Sequence, residues 1–120
     1  MQDELFEGRT IKPFAEYVLW PDLAVGQTYF AVDFVDDDLH VPEVRPLVFV
    51  GRNLNEGDSN LLYFQDAYSY RDGLRFETLA EGDDALFHTI ADTSPFVQTF
   101  ERALDVLLRC SLERRRSKRA

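Results

Sequence analysis

The chain has 120 residues, of which 45% are hydrophobic and 29% are charged, with a formal net charge of −9 at pH 7. This length fits one domain, and so high an apolar fraction excludes a wholly disordered chain. The single cysteine, Cys110, excludes an intramolecular disulfide framework and the usual cysteine-based zinc site. The apolar runs are only a few residues long, so no membrane-spanning segment is expected.

The charge is unevenly distributed along the chain. Through residue 108 there are 7 Lys/Arg against 21 Asp/Glu, a balance of −14, whereas residues 109–120 carry 6 basic residues and one acidic residue, a balance of +5. So acidic a body repels phosphate backbones, and we expect no nucleic-acid binding by the folded part. The basic end would complement the negative end of a helix, although it could also contact nucleic acid or an anionic surface.

Residues 1–113 are interpreted as a single α+β domain, and residues 114–120 as a basic, frayed C-terminal tail. The first residues are acidic and lack the basic and apolar regions of an export signal, so we expect a cytoplasmic protein.

Short apolar runs separated by turn-forming residues predict an antiparallel β-sheet. In chain order the predicted strands are 15–20, 29–35, 47–50, 61–64, 74–79 and 85–90. The polar stretch 36–46, with its two prolines, and the asparagine-rich segment 53–60 predict loops. Between the fourth and fifth strands, Asp66 and Gly73 predict the N-cap and the C′ residue of a single helical turn.

A long C-terminal helix is predicted after residue 94, with Ser94 as its N-cap and Pro95 in its first position. Apolar residues then recur at offsets of three and four, and Asp105 and Arg109 are placed on the opposite, exposed face. The wide apolar side of this helix must be buried against another element of the fold. We therefore expect an α+β fold in which a sheet of about five or six short strands carries the helix on one face.

The acidic segment after the second predicted strand is the first candidate site. It contains Asp36, Asp37, Asp38 and His40, flanked by Asp33 and Glu43. An extended backbone would place Asp36, Asp38 and His40 on one face, where they could bind a divalent metal or perform acid/base chemistry. The favoured alternative is a solvated loop whose aspartates cap local N–H groups, because no second ligand cluster supports a metal site.

The tyrosines in the predicted helical turn are the second candidate site. Tyr68 and Tyr70 lie next to Arg71, and tyrosines in such a segment anchor partners or line pockets. The favoured alternative is that they hold the turn against the sheet with their hydroxyls in water. His88 is interpreted as a core or edge residue and Cys110 as an unreactive, half-buried one.

No motif for phosphate binding, metalloprotease chemistry or nucleophilic catalysis occurs, so we expect no cofactor and favour a protein that is not an enzyme. The first hypothesis is an interaction module that docks on a basic protein through its carboxylates, with Tyr68, Tyr70 or Trp20 as anchors, or that forms a homodimer through a sheet edge or apolar helix surface. The alternative is a small-molecule or metal-binding protein or enzyme with a pocket between sheet and helix.

Overall fold

The computed structural model describes the backbone of residues 4–6, 9–11, 16–38 and 40–119, with side chains between residues 16 and 117 of those ranges. The elements in chain order are β1 (Glu4–Phe6), β2 (Arg9–Ile11), β3 (Thr28–Phe34), β4 (Pro42–Arg52), β5 (Leu61–Asp66), α1 (Ala67–Arg71), a 3-10 turn at Phe76–Thr78, β6 (Phe87–Ala91) and α2 (Phe100–Arg119). Strands β3 to β6 form one antiparallel sheet in sequential order, and β1 pairs separately with β2. The α+β class is confirmed.

Among the residues that the structure describes, this sheet has four strands, so the prediction of five or six is wrong. The segment 74–79 folds as the 3-10 turn because its side chains have tertiary partners: the Phe76 ring lies 5.4 Å from the rings of Tyr63 and Phe87. In the described part of the segment 15–20, only Val18 makes a bridge, donating its N–H to the Val97 carbonyl at 2.8 Å. A single bridge does not make a strand.

Strand β4 runs through two prolines that were predicted to lie in a loop. Pro42 begins the strand, and Pro46 lies opposite Phe30. The N–H and C=O of Phe30 point away from β4 and bond the backbone of Gln98 at 2.9 and 2.8 Å, so Phe30 and Pro46 form a non-hydrogen-bonded pair. On the other side, β5 ends opposite Leu47. The missing N–H of Pro46 therefore removes no ladder bond, and the hairpin extends to Pro42.

The main core covers one face of the sheet, here called the core face. Its buried residues are Leu23, Tyr29, Ala31, Leu47, Phe49, Leu62, Phe64 and Val97, with Val18, Trp20, Ile90 and Phe96 packed around them. The cover over this face therefore comes from residues 18–23 and 96–97, which are loop segments. None of the residues of this cluster belongs to α2.

Helix α2 lies along edge strand β3, which together with β2 is the strand it approaches most closely. The position of the helix on one face of the sheet stays a prediction, since these contacts establish only that it approaches β3. At the start of α2 the Phe100 ring lies 5.7 Å from that of Phe30. Further along, both Asp36 and Arg114 act electrostatically on the Cys110 thiol, so the helix runs toward the loop after β3. Neither helix in the described chain combines the length and hydropathy needed to cross a membrane.

The start of α2 also differs from the prediction. The helix begins at Phe100 because residues 97 and 98 are used in bridges to Val18 and Phe30. Thr99 then caps the first turn, with its hydroxyl accepting the Arg102 N–H at 3.3 Å. The helix continues to Arg119, so the backbone of the predicted basic tail is helical up to that residue.

Candidate functional site

The predicted site residues lie in two separate places. Asp33, Asp36, Asp37, Asp38, His40 and Glu43 lie at the end of the β3–β4 hairpin, whereas Tyr68, Tyr70 and Arg71 lie on α1. Helix α1 follows β5, two strands away from β3 in the sheet order. The two groups are therefore described as two surfaces.

Asp36 organises the loop at the hairpin end. Its carboxylate accepts the backbone N–H of His40 at 3.0 and 3.1 Å and that of Val41 at 2.8 Å. The Val41 N–H in particular lowers the pKa of Asp36 below its ordinary value of 3.8. The backbone at residues 36–38 bends and turns, so the extended arrangement that would align Asp36, Asp38 and His40 does not form. Asp36 is a structural cap of the kind that short acidic side chains provide in turns.

The other carboxylates of the hairpin end differ in how they are bound. Asp33 is in an ion pair with Arg45, at 3.0 Å between Oδ2 and Nη2. Asp37, Asp38 and Glu43 are exposed, and none of them takes part in an ion pair with the side chains that the structure describes. Three carboxylates thus remain available to a partner at this end of the molecule.

Two exposed valines lie among these carboxylates. The N–H of Val35 bonds the carbonyl of Val41 at 2.9 Å, so the two residues are directly opposite and their side chains share one face. Val35 is 71% exposed and Val41 is 50% exposed. Glu43, two residues after Val41, projects from the same face. We call Val35, Asp37, Asp38, Val41 and Glu43 the hairpin-end patch.

Sequence reasoning missed the two valines of this patch. Alternation along the strand places Val35 on the same side as Tyr29 and Ala31, which belong to the main core. The core ends before the hairpin does, and only the tertiary structure shows where.

The metal-site hypothesis finds no support in the geometry. In the part of the chain that the structure describes, no three His, Cys, Asp or Glu side chains converge as ligands for an ion. The segment 53–60 forms a loop in which Tyr63 donates its hydroxyl hydrogen to Asp58 at 2.5 Å and accepts the Asn55 amide at 2.9 Å. The bond to Asp58 raises the pKa of Tyr63. The side-chain oxygens of Asp58 and Tyr63 are thus used in hydrogen bonds that stabilise this loop.

Helix α1 has well-defined ends, which fix the second surface. The N-cap Asp66 accepts the Ser69 N–H at 2.9 Å, as predicted. At the other end Gly73 has φ of 94°, its N–H bonds the Tyr70 carbonyl at 3.1 Å, and the Leu74 N–H bonds the Ser69 carbonyl at 3.1 Å. This pair of bonds is a Schellman motif. A five-residue helix is therefore held in a defined position over β4 and β5.

A groove lies between α1 and the face of the sheet opposite the core face. Its volume is about 410 Å³, and its lining residues are Gly26, Thr28, Pro46, Val48, Ala67, Tyr68, Tyr70 and Arg71. All three residues predicted on α1 thus border one groove. The sequence gives no signal for Thr28, Pro46 or Val48, because only strand pairing brings β3 and β4 under α1.

Tyr70 and Arg71 have different roles in this groove. The Tyr70 ring stacks on the Arg75 guanidinium at 3.6 Å, and its hydroxyl lies over Gly26, where an added Cβ would be 3.3 Å away. Tyr70 is therefore held in one position and forms one side of the groove. Arg71 stacks on Tyr68 at 5.3 Å and contacts Asp72 only at 3.8 Å, so its charge remains open to solvent at the groove edge.

Trp20, His88 and Cys110 belong to the packing. The Trp20 ring lies 6.2 Å from Phe49 and under the Arg52 guanidinium at 5.0 Å, so it is not an exposed anchor. Burial lowers the pKa of His88, whose ring lies 6.3 Å from Phe96. Burial raises the pKa of the Cys110 thiol, which makes it less reactive.

The fold and the two surfaces define a small α+β protein with an acidic, partly apolar hairpin end and a groove beside a short helix. Comparison with protein-family models, with the curated proteins and with the solved structures found no match to this chain.

Proposed function

We propose that the chain is a protein-binding module that docks on a basic partner through the hairpin-end patch. The observation that carries the proposal is the side-by-side exposure of Val35 and Val41 next to three carboxylates that have no cationic partner among the described side chains. An apolar centre with a charged rim is the usual anatomy of a protein interface. The charge of the rim selects a basic protein surface, and the valines supply apolar area.

The excess of acidic residues supports the same choice of partner. Residues up to 108 carry a balance of −14, which attracts a basic protein over distances of about 10 Å at moderate salt and speeds association. Asp36 contributes indirectly, since it fixes the loop that presents Asp37 and Asp38. A rigid loop loses less conformational entropy when it binds.

The test uses a fluorescent peptide of alternating lysine and valine as the probe, with binding followed by fluorescence anisotropy. The variant Asp37→Asn/Asp38→Asn/Glu43→Gln should weaken binding about 3-fold to 150-fold, since three exposed charge pairs contribute about 0.2–1 kcal/mol each. The binding of the unmodified chain should weaken as salt rises. Replacing Val35 and Val41 by Ser should also weaken binding, with a smaller change in salt dependence.

The matched control is Glu56→Gln/Glu77→Gln/Glu81→Gln, which removes the same charge from exposed positions outside the patch. It should retain more affinity than the patch variant. Equal losses in the two variants would mean that only the net charge matters, and the proposed patch would then be wrong.

The groove beside α1 favours a second candidate function, the binding of a small molecule with a planar apolar body and a carboxylate. The volume of about 410 Å³ is within the range of ligand pockets. Pro46 and Val48 offer apolar contact, and the exposed Arg71 offers a bidentate donor. The probe is 2-naphthoate, which should raise the melting temperature of the chain but not that of Arg71→Gln. Equal shifts in both proteins would exclude a specific role for Arg71.

A further inference from the structure

Strand β6 is the free edge of the four-stranded sheet. It pairs with β5 on one side, and no other strand borders it in the described chain. The opposite edge strand, β3, differs because Gln98 bonds the outward backbone groups of Phe30. An edge strand with open backbone groups is a template for pairing with another strand.

Two backbone hydrogen bonds at the ends of the β5–β6 ladder show which residues of β6 point outward. The Asp66 N–H bonds the Leu86 carbonyl at 3.0 Å, and the Asp92 N–H bonds the Asn60 carbonyl at 2.9 Å. Hydrogen-bonded pairs alternate along an antiparallel ladder, so even-numbered residues of β6 face β5. The backbone groups of Phe87, Thr89 and Ala91 therefore point away from the sheet.

Most of these outward groups are open. No hydrogen bond to the N–H or C=O of Phe87 or Thr89 is present among residues 16–38 and 40–119. Only the carbonyl of Ala91 has a local partner, the N–H of Ser94 at 2.9 Å. The side chains of Thr89 and Ala91 are exposed as well, so the edge is accessible.

The sequence of β6 lacks the features that normally protect an edge. Phe87–Ala91 contains no lysine, proline, glycine or carboxylate, and its pairing with β5 has no bulge. Natural edge strands usually carry at least one such feature. Burial lowers the pKa of His88 below its ordinary 6.5, which favours the neutral imidazole.

One register lets β6 pair with itself. Around a two-fold axis at Thr89, each Thr89 faces the other, and Phe87 of each copy faces Ala91 of the other, so all outward backbone groups meet. In the same register Leu86 lies opposite Asp92, and Asp84 opposite Ser94. No carboxylate then faces a carboxylate, although the flanks of the strand are acidic.

We propose that the chain forms a two-fold homodimer in which the β6 strands of two copies pair antiparallel about Thr89 and join the two sheets into one of eight strands. The surface is separate from the hairpin-end patch, so the proposal does not depend on the basic partner. The occupant is a second copy because the strand carries no Asp, Glu, Lys or Arg and because the two-fold register about Thr89 pairs every outward backbone group without placing one carboxylate opposite another.

The first test is the variant Thr89→Lys, compared with the unmodified chain by analytical ultracentrifugation. The unmodified chain should sediment with the mass of two 13.9 kDa chains at high concentration, and Thr89→Lys as one chain, because two lysines would face each other on the axis. Gln27→Lys, at an exposed position just before β3 on the opposite edge of the sheet, is the control and should remain dimeric. A monomeric unmodified chain, or a dimeric Thr89→Lys, would overturn the proposal.

The second test is cross-linking through Thr89→Cys in a Cys110→Ser background. Directly opposite residues of a hydrogen-bonded pair lie about 5.5 Å apart at Cα, within the range of a disulfide. Oxidation should yield a covalent dimer of Thr89→Cys much faster than of Gln27→Cys in the same background. Equal rates would contradict a two-fold axis at Thr89.

Salt separates this proposal from the proposed function. Two chains of charge −9 repel each other, so the dimer should strengthen as salt screens that repulsion. Binding of the basic probe should weaken under the same conditions. If the dimer does not strengthen with salt, the proposed dimer is contradicted but the basic-partner proposal is not, and if probe binding does not weaken with salt, the reverse holds.

Discussion

Replacement of Asp66 by Ala should destabilise the protein through loss of the α1 cap. The Asp66 carboxylate accepts the Ser69 N–H at 2.9 Å, the Ser69 hydroxyl at 2.5 Å and the Leu86 N–H at 2.9 Å. It thus joins the start of α1 to the residue just before β6. Gln65, which is completely buried, donates to the same Ser69 hydroxyl at 2.9 Å. The hydrogen bonds of the cap therefore reach a buried side chain.

The expected loss in the free energy of unfolding is about 2 kcal/mol. Removal of an N-cap side chain costs about 1 kcal/mol. Loss of a charged acceptor for the buried Ser69 hydroxyl adds about 1 kcal/mol, and the Leu86 N–H can bond water instead. Domains of this size have about 5–15 kcal/mol of stability, so the variant should still fold.

The assay is urea unfolding followed by circular dichroism. Asp72→Ala is the control, because Asp72 is exposed and has only the 3.8 Å contact to Arg71. The control should change the free energy of unfolding by less than about 0.5 kcal/mol. If Asp66→Ala were no more harmful than Asp72→Ala, the assignment of Asp66 as the residue that fixes α1 would be refuted.

The pH dependence offers a further check on Asp66. Partial burial, the largest single influence, raises its pKa, but the bonds from Ser69 and Leu86 together outweigh it and place the pKa below the ordinary 3.8. The ionised form therefore stabilises the folded chain above pH 3.8, and this contribution is lost as pH falls through the folded-state pKa. Asp66→Asn should keep most of the cap and lose this pH dependence.

Two other predictions concern a glycine and a histidine. Gly51 has φ of 149°, and an added Cβ would be 2.8 Å from Leu54 Cδ2, so Gly51→Ala should cost about 1–3 kcal/mol in urea unfolding. Gly57→Ala, with φ of 88° and no atom within 4 Å, should cost less; an equal cost would contradict the role of the close contact. Burial lowers the pKa of His88, so stability should fall as pH drops below 6.5 toward the folded-state pKa. An NMR titration giving His88 a pKa of 6.5 or above would contradict this.

The sequence predicted the elements whose signals are local. Asp66 and Gly73 at the ends of a short turn define α1, because capping depends on side chains and dihedral angles within a few residues. The alternating and apolar runs gave three strands of the sheet near their observed positions, and the last run gave β6 as Phe87–Ala91.

Errors arose where tertiary contacts override local preference. Pro46 suggested a loop, but Phe30, which lies opposite it, bonds Gln98 and not β4. The missing N–H of Pro46 therefore costs β4 no hydrogen bond to β3. Asp105 was placed on the exposed face of the helix, yet it is 4% exposed, with its Oδ2 at 3.6 Å from Arg102 Nη1. Helix α2 contacts mainly β3, and the main core over the sheet includes none of its residues.

For the candidate sites too, some features follow from the sequence and others only from the tertiary structure. The composition determined that the chain is acidic, and the order of the residues determined that Tyr68, Tyr70 and Arg71 lie together on one turn, since neighbours in sequence remain neighbours in space. Only the tertiary structure decided that the core ends before Val35 and Val41, and that β6 is the last strand of the sheet in the described part of the chain. Exposure and strand order depend on which distant segments pack together, and that is a property of the whole chain.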